Sequence, residues 1–152
     1  MKKLAAAALA VMMCMASTAV SAAGVRSAQK GNAVFDFGDN AFFSVRMYRG
    51  ESIYLKLDTD YQKELAERVN ELTGQEADHF YCFDTGEQSF ARTGELFLAA
   101  QEGQTLYQIE EDGTLTQPEA EYAKGLFVGK DGQRISGYLI RTKTLGCYVV
   151  AE

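Results

Sequence analysis

Ala41-Phe42-Phe43-Ser44-Val45-Arg46-Met47-Tyr48 alternates along its length: Phe43, Val45 and Met47 fall on one side, and Ser44, Arg46 and Tyr48 on the other. A period of two residues marks a strand with one face in a core and the other toward water. Arg49-Gly50-Glu51 interrupts the pattern. Ile53, Leu55 and Leu57 resume it, with Tyr54 and Lys56 opposite. The two runs are expected to pair as a hairpin.

The period changes at Thr59. Thr59 and Gln62 fit a capping box, in which side chains satisfy the free amides of a helix start. Tyr61, Leu65, Val69 and Leu72 follow at near-helical spacing, and Gly74 supplies a stop. The spacing predicts an amphipathic helix over about 60–73, lying across an open edge or end of a sheet. Beyond it, strand patterns recur at 79–84, 94–100, 104–110, 125–129, 134–142 and 146–151. Asp112-Gly113 and Asp131-Gly132 provide turn chemistry between them, since glycine tolerates the positive φ of tight hairpins. Short strands with turn signals between them make a small β-sandwich the expected fold, immunoglobulin-like in general architecture with one inserted helix. A partly open β-barrel is the alternative.

The first residues carry an address. Lys2 and Lys3 precede an uninterrupted run of small and apolar residues from Leu4 to Met15, and Val20-Ser21-Ala22 places small residues where a signal peptidase reads. Residues 1–22 are therefore expected to be a signal peptide, cleaved between Ala22 and Ala23. The run is too short and too rich in alanine for a membrane span of about 20 strongly apolar residues. Residues 23–152 then form a single β-rich domain, secreted or otherwise extracytoplasmic, with no membrane association after cleavage. The full chain of 152 residues carries 15 basic and 21 acidic residues, a net charge of −6; without Lys2 and Lys3 it falls to −8. Such a surface repels phosphate backbones and argues against nucleic acid as a partner.

Of the three cysteines, Cys14 lies within the leader, which leaves Cys82 and Cys147. An even pair in an exported protein is most simply a disulfide. It would close a loop of about 65 residues and contribute about 4 kcal/mol in the chain-entropy model. Two buried thiols acting as small hydrophobes are the alternative. No Cys-x-x-Cys spacing supports a zinc or redox centre.

Chemistry-bearing motifs are sparse. His79 is the only histidine and has no second histidine to help it. No Gly-x-Ser-x-Gly elbow and no phosphate-cradling glycine motif occurs. Three carboxylate groupings have the makings of an acid pair: Asp36 with Asp39, Asp58 with Asp60, and Glu110, Glu111 with Asp112. Each also has a plain reading: a turn, a helix start and a hairpin approach respectively. Asp58-Thr59-Asp60 offers oxygen ligands for calcium, but no complete loop of the EF-hand kind follows. Phe42, Phe43, Tyr48, Tyr54, Tyr81, Tyr107, Tyr122, Tyr138 and Tyr148 either fill a β core or stack on a partner. There is no tryptophan to line a sugar cleft. These features imply no cofactor and no metal.

Two further stretches carry a family likeness. One is Phe80-Tyr81-Cys82-Phe83-Asp84 with Phe90 and Thr93-Gly94-Glu95-Leu96. The other is Tyr107-Gln108-Ile109 with Asp112-Gly113, ending in Ile140-Arg141-Thr142-Lys143-Thr144-Leu145-Gly146-Cys147-Tyr148-Val149-Val150. Together they resemble a module of secreted and cell-surface proteins of Gram-positive gut bacteria, and the closing segment looks like that module's terminal hairpin. The likeness spans about half of residues 23–152. It implies a small β-sandwich without a transferable active site. A small residue is common in that module where this chain has Cys147, so the cysteine is a local departure.

Taken together, these readings lead us to expect a non-catalytic binding or interaction domain whose partner is a protein or a glycan. A small secreted hydrolase using acidic pairs is the alternative, as is an inhibitor or structural subunit of an extracellular complex.

Overall fold

The computed structural model describes residues 31–48, 51–86 and 90–152; the expected signal peptide lies outside them. Ten strands and one helix follow in the order β1 (Gly31–Asp36), β2 (Ala41–Met47), β3 (Lys56–Asp58), α1 (Lys63–Thr73), β4 (Ala77–Asp84), β5 (Gly94–Ala99), β6 (Thr105–Ile109), β7 (Leu115–Thr116), β8 (Ala120–Val128), β9 (Arg134–Thr142) and β10 (Cys147–Ala151). They build two five-stranded antiparallel sheets, β1-β2-β5-β9-β8 and β3-β4-β10-β6-β7. This is the expected β-sandwich. The barrel alternative fails because the two sheets remain separate, each with two free edges.

Strand alternation fills the space between the sheets. Phe43, Val45 and Met47 of β2, with Leu96 and Leu98 of β5, meet Leu57, Tyr81, Tyr148 and Val150 from the second sheet in one buried cluster. The inward set of 41–48 is thus the set that alternation selects. The hairpin expected between 41–48 and 53–57 does not form. β2 pairs with β1 and β5, whereas β3 pairs with β4 in the other sheet. Leu55 and Leu57 reach the same core from the opposite layer. Alternation reports which face is buried and says nothing about which strand is the neighbour.

The partner of β2 is instead β1, joined through the Asp36–Asp39 turn, where Gly38 adopts φ 70° and donates its N–H to Asp36 Oδ1 at 2.8 Å. Both Asp-Gly turns are present as expected, with Gly113 at φ 79° and Gly132 at φ 81°. The expected strand 125–129 belongs to a longer β8 that begins at Ala120. Its register with β9 breaks between Ala123 and Phe127, where Gly125 takes φ 60°.

The helix packs on the outer face of the second sheet, not on an edge or end. Ala66 and Val69 cover Ala77, Phe80, Val149 and Ala151 in a second, smaller core, with Tyr61 and Leu65 against its border. Leu72, expected on the buried stripe, is 53% exposed because the stripe turns away from the sheet in the last turn. The capping box is not made: Gln62 is the N-cap without a capping side-chain bond. Gly74 ends the helix as expected, in the left-handed conformation with its N–H on Asn70 O. No helix among the described residues is long and apolar enough to cross a membrane.

On the outer face of the first sheet, Phe97 is fully buried beneath Phe42 and Phe127, with ring centroids at 5.2 Å and 4.7 Å. The alternation of β5 explains it, since Phe97 points opposite to Leu96 and Leu98.

Candidate functional site

Side chains of adjacent strand residues normally point to opposite faces. Asp78 and His79 of β4 break that rule. His79 is opposite Val150, but the next pairing is Ala77 with Ala151, so Asp78 has no partner on β10. The ladder resumes beyond this bulge, with Glu76 and Glu152 exchanging both backbone hydrogen bonds. A bulge of this kind re-aims a side chain. Here it brings the Asp78 carboxylate alongside the His79 ring, whose Nδ1 lies 2.9 Å from Asp78 Oδ2. The same oxygen accepts a hydrogen bond from Gln104 Nε2 at 2.9 Å. With Nδ1 beside the Asp78 carboxylate, Nε2 is the nitrogen left for an outside partner. The His79 and Asp78 side chains are 50% and 41% exposed.

Gln104 belongs to the β5–β6 connection, which crosses from one sheet to the other. Three tyrosine hydroxyls hold that segment. Tyr81 donates to Ala99 O at 2.6 Å, Tyr122 donates to Ala100 O at 3.3 Å, and Tyr138 donates to Gln104 O. The backbone adds Ala99 N–H to Asn40 O, Ala100 N–H to Ser136 O and Gln104 N–H to Gln101 O. Gln104 is 4% exposed, and its Oε1 accepts the Gln101 N–H at 2.8 Å. Burial pushes the Tyr81 hydroxyl far above the usual phenol range, helped by the Asp78 charge, and it also raises Tyr138, which faces Tyr122. Both phenols therefore stay protonated donors at any physiological pH.

A cleft of about 490 Å³ opens here, walled by Asp78, His79 and Tyr81 of β4, by the pinned segment, and by Tyr122 of β8. The His79 and Tyr81 rings lie nearly parallel, 17° apart, with centroids separated by 6.4 Å. A cavity of similar size, about 520 Å³, lies along β8 and β9 beside Pro118. Its fixed polar contact is an exposed ion pair between Arg141 and Glu95 at 3.5 Å, and such pairs hold little in place. The Asp78–His79 cleft is the better-built of the two.

The remaining sequence candidates are dispersed. Asp36 Oδ1 binds the Gly38 amide, whereas Asp39 Oδ1 binds the Lys130 amide at 3.1 Å. Asp58 Oδ1 accepts the Asp60 N–H at 2.8 Å, and Asp60 Oδ1 is buried without a hydrogen-bond partner. Glu110 accepts the Thr116 hydroxyl. The Thr114 hydroxyl and amide hold the Asp112 carboxyl below the usual carboxylate range. Among the described residues, no group of three His, Cys, Asp or Glu side chains could hold a metal ion.

The tyrosines divide. Tyr81 and Tyr148 are core residues, and burial pushes the Tyr148 hydroxyl up to about 12. Tyr107 donates to Gln75 Oε1 at 2.5 Å. Tyr48 and Tyr54 are exposed, and the Arg92 guanidinium sits 3.7 Å from the Tyr48 ring centroid.

Cys82 and Cys147 are direct cross-strand partners of β4 and β10, with Cα atoms 4.0 Å apart and sulfurs at disulfide distance. The neighbouring Phe83 N–H bonds Gly146 O at 3.0 Å, so the cysteines occupy the adjacent non-hydrogen-bonded position, where strands come closest. The disulfide lies on the helix-covered side of the sheet.

Sequence reasoning reached His79 but missed its partners. Asp78 adjoins it in the chain, yet alternation would have sent the two side chains apart. Gln104 carried no signal beyond the polar run 101–104. Comparison of the chain with protein-family models, curated proteins and solved structures finds no match.

Proposed function

We propose that the protein is an exported, non-catalytic binding domain whose ligand seats in the Asp78–His79 cleft. The observation that carries this reading is the bulge at Asp78, which sets its carboxylate beside the His79 ring and within hydrogen-bond reach of Gln104, a buried residue on a segment held by three phenols. Polar groups locked before a ligand arrives bind it without the cost of ordering them. The lysine-led apolar leader and the even cysteine pair support export. So does the resemblance of Phe80–Val150 to modules of secreted and cell-surface proteins. A hydrolase built on acidic pairs is disfavoured, because Asp36, Asp39, Asp58 and Asp112 are each engaged by a backbone amide.

The test uses the protein recovered from outside its producing cell. Immobilised native protein and the Asp78→Asn/His79→Gln variant are exposed to cell-wall, glycan and host-surface fractions. Retention of one fraction by the native protein and its loss in the variant is the expected result. Equal retention by both, or none by either, contradicts the proposal. Intact mass of the recovered chain checks cleavage after Ala22.

A further inference from the structure

We infer that the cleft takes a neutral saccharide. The inference rests on the cleft being the binding site and adds the chemical class of the ligand.

Its charged groups are each engaged within the protein, one pair with each other and the rest by neutral groups or His79. Glu102 pairs with Lys124 at 3.3 Å, Asp39 accepts the Lys130 amide, and Asp78 is held by His79 and Gln104. Arg134 donates to Gly125 O at 3.2 Å. Three carboxylates against one lysine and one arginine leave no strong field of either sign to select an ion. A phosphate or a polybasic segment would find no complementary patch here.

What remains open is directional and of both polarities. Asp78 Oδ1 and His79 Nε2 have no hydrogen-bond partner among the described residues, and the Gln101 side chain is exposed. The Ser136 hydroxyl accepts the Gly125 N–H at 2.8 Å and keeps its own proton to donate. A ligand that meets alternating acceptors and donors while carrying no charge is a polyol. With Oδ2 held by Gln104, the carboxylate presents Oδ1 to accept a hydrogen bond from one ligand hydroxyl while the neighbouring His79 Nε2 meets the hydroxyl on the next carbon.

The aromatic content fits the same class. The half-exposed His79 ring lies nearly parallel to the buried Tyr81 ring behind it, and half-buried Tyr122 adds a second accessible ring to the lining, edge-on to Tyr138 with centroids 5.4 Å apart. Pyranose rings have one face of C–H groups that packs on such surfaces, so a platform need not be tryptophan. A volume of about 490 Å³ falls within the usual range for small-ligand sites and has room for a short saccharide. An extended peptide would instead add to a free strand edge. β4 is paired on both sides, and the edge strand β8 that supplies Tyr122 and Lys124 breaks its register between Ala123 and Phe127, an irregularity that discourages edge pairing.

The experiment is a titration of isotope-labelled native protein followed by amide chemical shifts. The probes are cellobiose, lactose and N,N′-diacetylchitobiose, with sialyllactose and trilysine as charged comparators. Saturable shifts confined to residues 78–81 and 99–104 with at least one neutral probe are the expected result. Asp78→Asn is expected to weaken that binding at least tenfold, and Gln101→Ala, an exposed change that should not disturb folding, to weaken it measurably. Response to a charged comparator alone, saccharide shifts elsewhere on the surface, or no shift with any neutral probe overturns the saccharide assignment. The binding reading survives those results if the Asp78→Asn/His79→Gln variant still loses its fraction in the retention assay. If retention is also unaffected, both fall.

Discussion

The side-chain amide of Gln62 donates to Cys82 Sγ at 3.2 Å, so the residue that starts α1 rests on the cross-strand disulfide. The first helical hydrogen bond, from Ala66 N–H to Gln62 O at 2.9 Å, begins at the same residue. A covalent link between β4 and β10 is thereby tied to the entry of the helix. Replacing both cysteines by serine is expected to lower unfolding stability by about 2–4 kcal/mol, given the 65-residue separation. Urea unfolding measures the loss. Hydrogen exchange should quicken at Ala66 before it does at Thr73. An unchanged midpoint would show that the link contributes nothing to stability.

Close packing sets the second expectation. A Cβ on Gly137 would collide with the Leu98 carbonyl oxygen and lie 2.8 Å from Phe97 Cζ. Backbone cannot yield cheaply there, so Gly137→Ala is expected to cost about 2–3 kcal/mol. Gly132 has open space around it but sits at φ 81°, and its alanine variant should lose only about 1 kcal/mol, from the left-handed backbone. Paired denaturation curves discriminate the two mechanisms. Equal losses would contradict the argument.

Removing one phenol from the pinned segment has a local prediction. Tyr138→Phe leaves the Gln104 carbonyl without its donor and should cost about 1 kcal/mol. Faster amide exchange is expected at Gln101 and Gln104, with exchange in α1 unchanged. Uniform acceleration across the domain would mean that the hydroxyl supports the whole fold and not this segment.

Alkaline pH probes the buried phenols together. Tyr148 is held at about 12 by burial, above its ordinary value near 10, and Tyr81 and Tyr138 shift in the same direction. A raised value in the folded state means that the unfolded chain gives up the proton first. The stabilisation is complete below about pH 10 and is lost as pH climbs toward 12. Unfolding should therefore coincide with tyrosinate absorbance from these residues. Their ionisation in a still-folded protein near pH 10 would refute the burial argument.

Local signals in the chain were reliable where the structure answers to local physics. Phe43, Val45 and Met47 point inward because alternation decides a face. Gly74, Gly113 and Gly132 take positive φ because helix stops and tight turns require it. The cysteine pairing followed from an even count. Neighbour relations were illegible: nothing in residues 53–57 shows that β3 joins β4 instead of β2. The Asp78 bulge was hidden for a related reason, since an extra residue in a ladder is defined by its partner strand. The three phenols that reach the β5–β6 segment come from β4, β8 and β9, which only the assembled sheets bring together.

Strand β10 follows every other described element, yet it lies in the middle of its sheet, between β4 and β6. During synthesis from the N-terminus, β3–β4 and β6–β7 must wait as two unjoined fragments until residues 147–151 emerge. The first sheet has all five of its strands by Thr142, so only the second layer closes late, around its central strand. Until β10 inserts, half of the sandwich's inner apolar face has no partner layer to cover it.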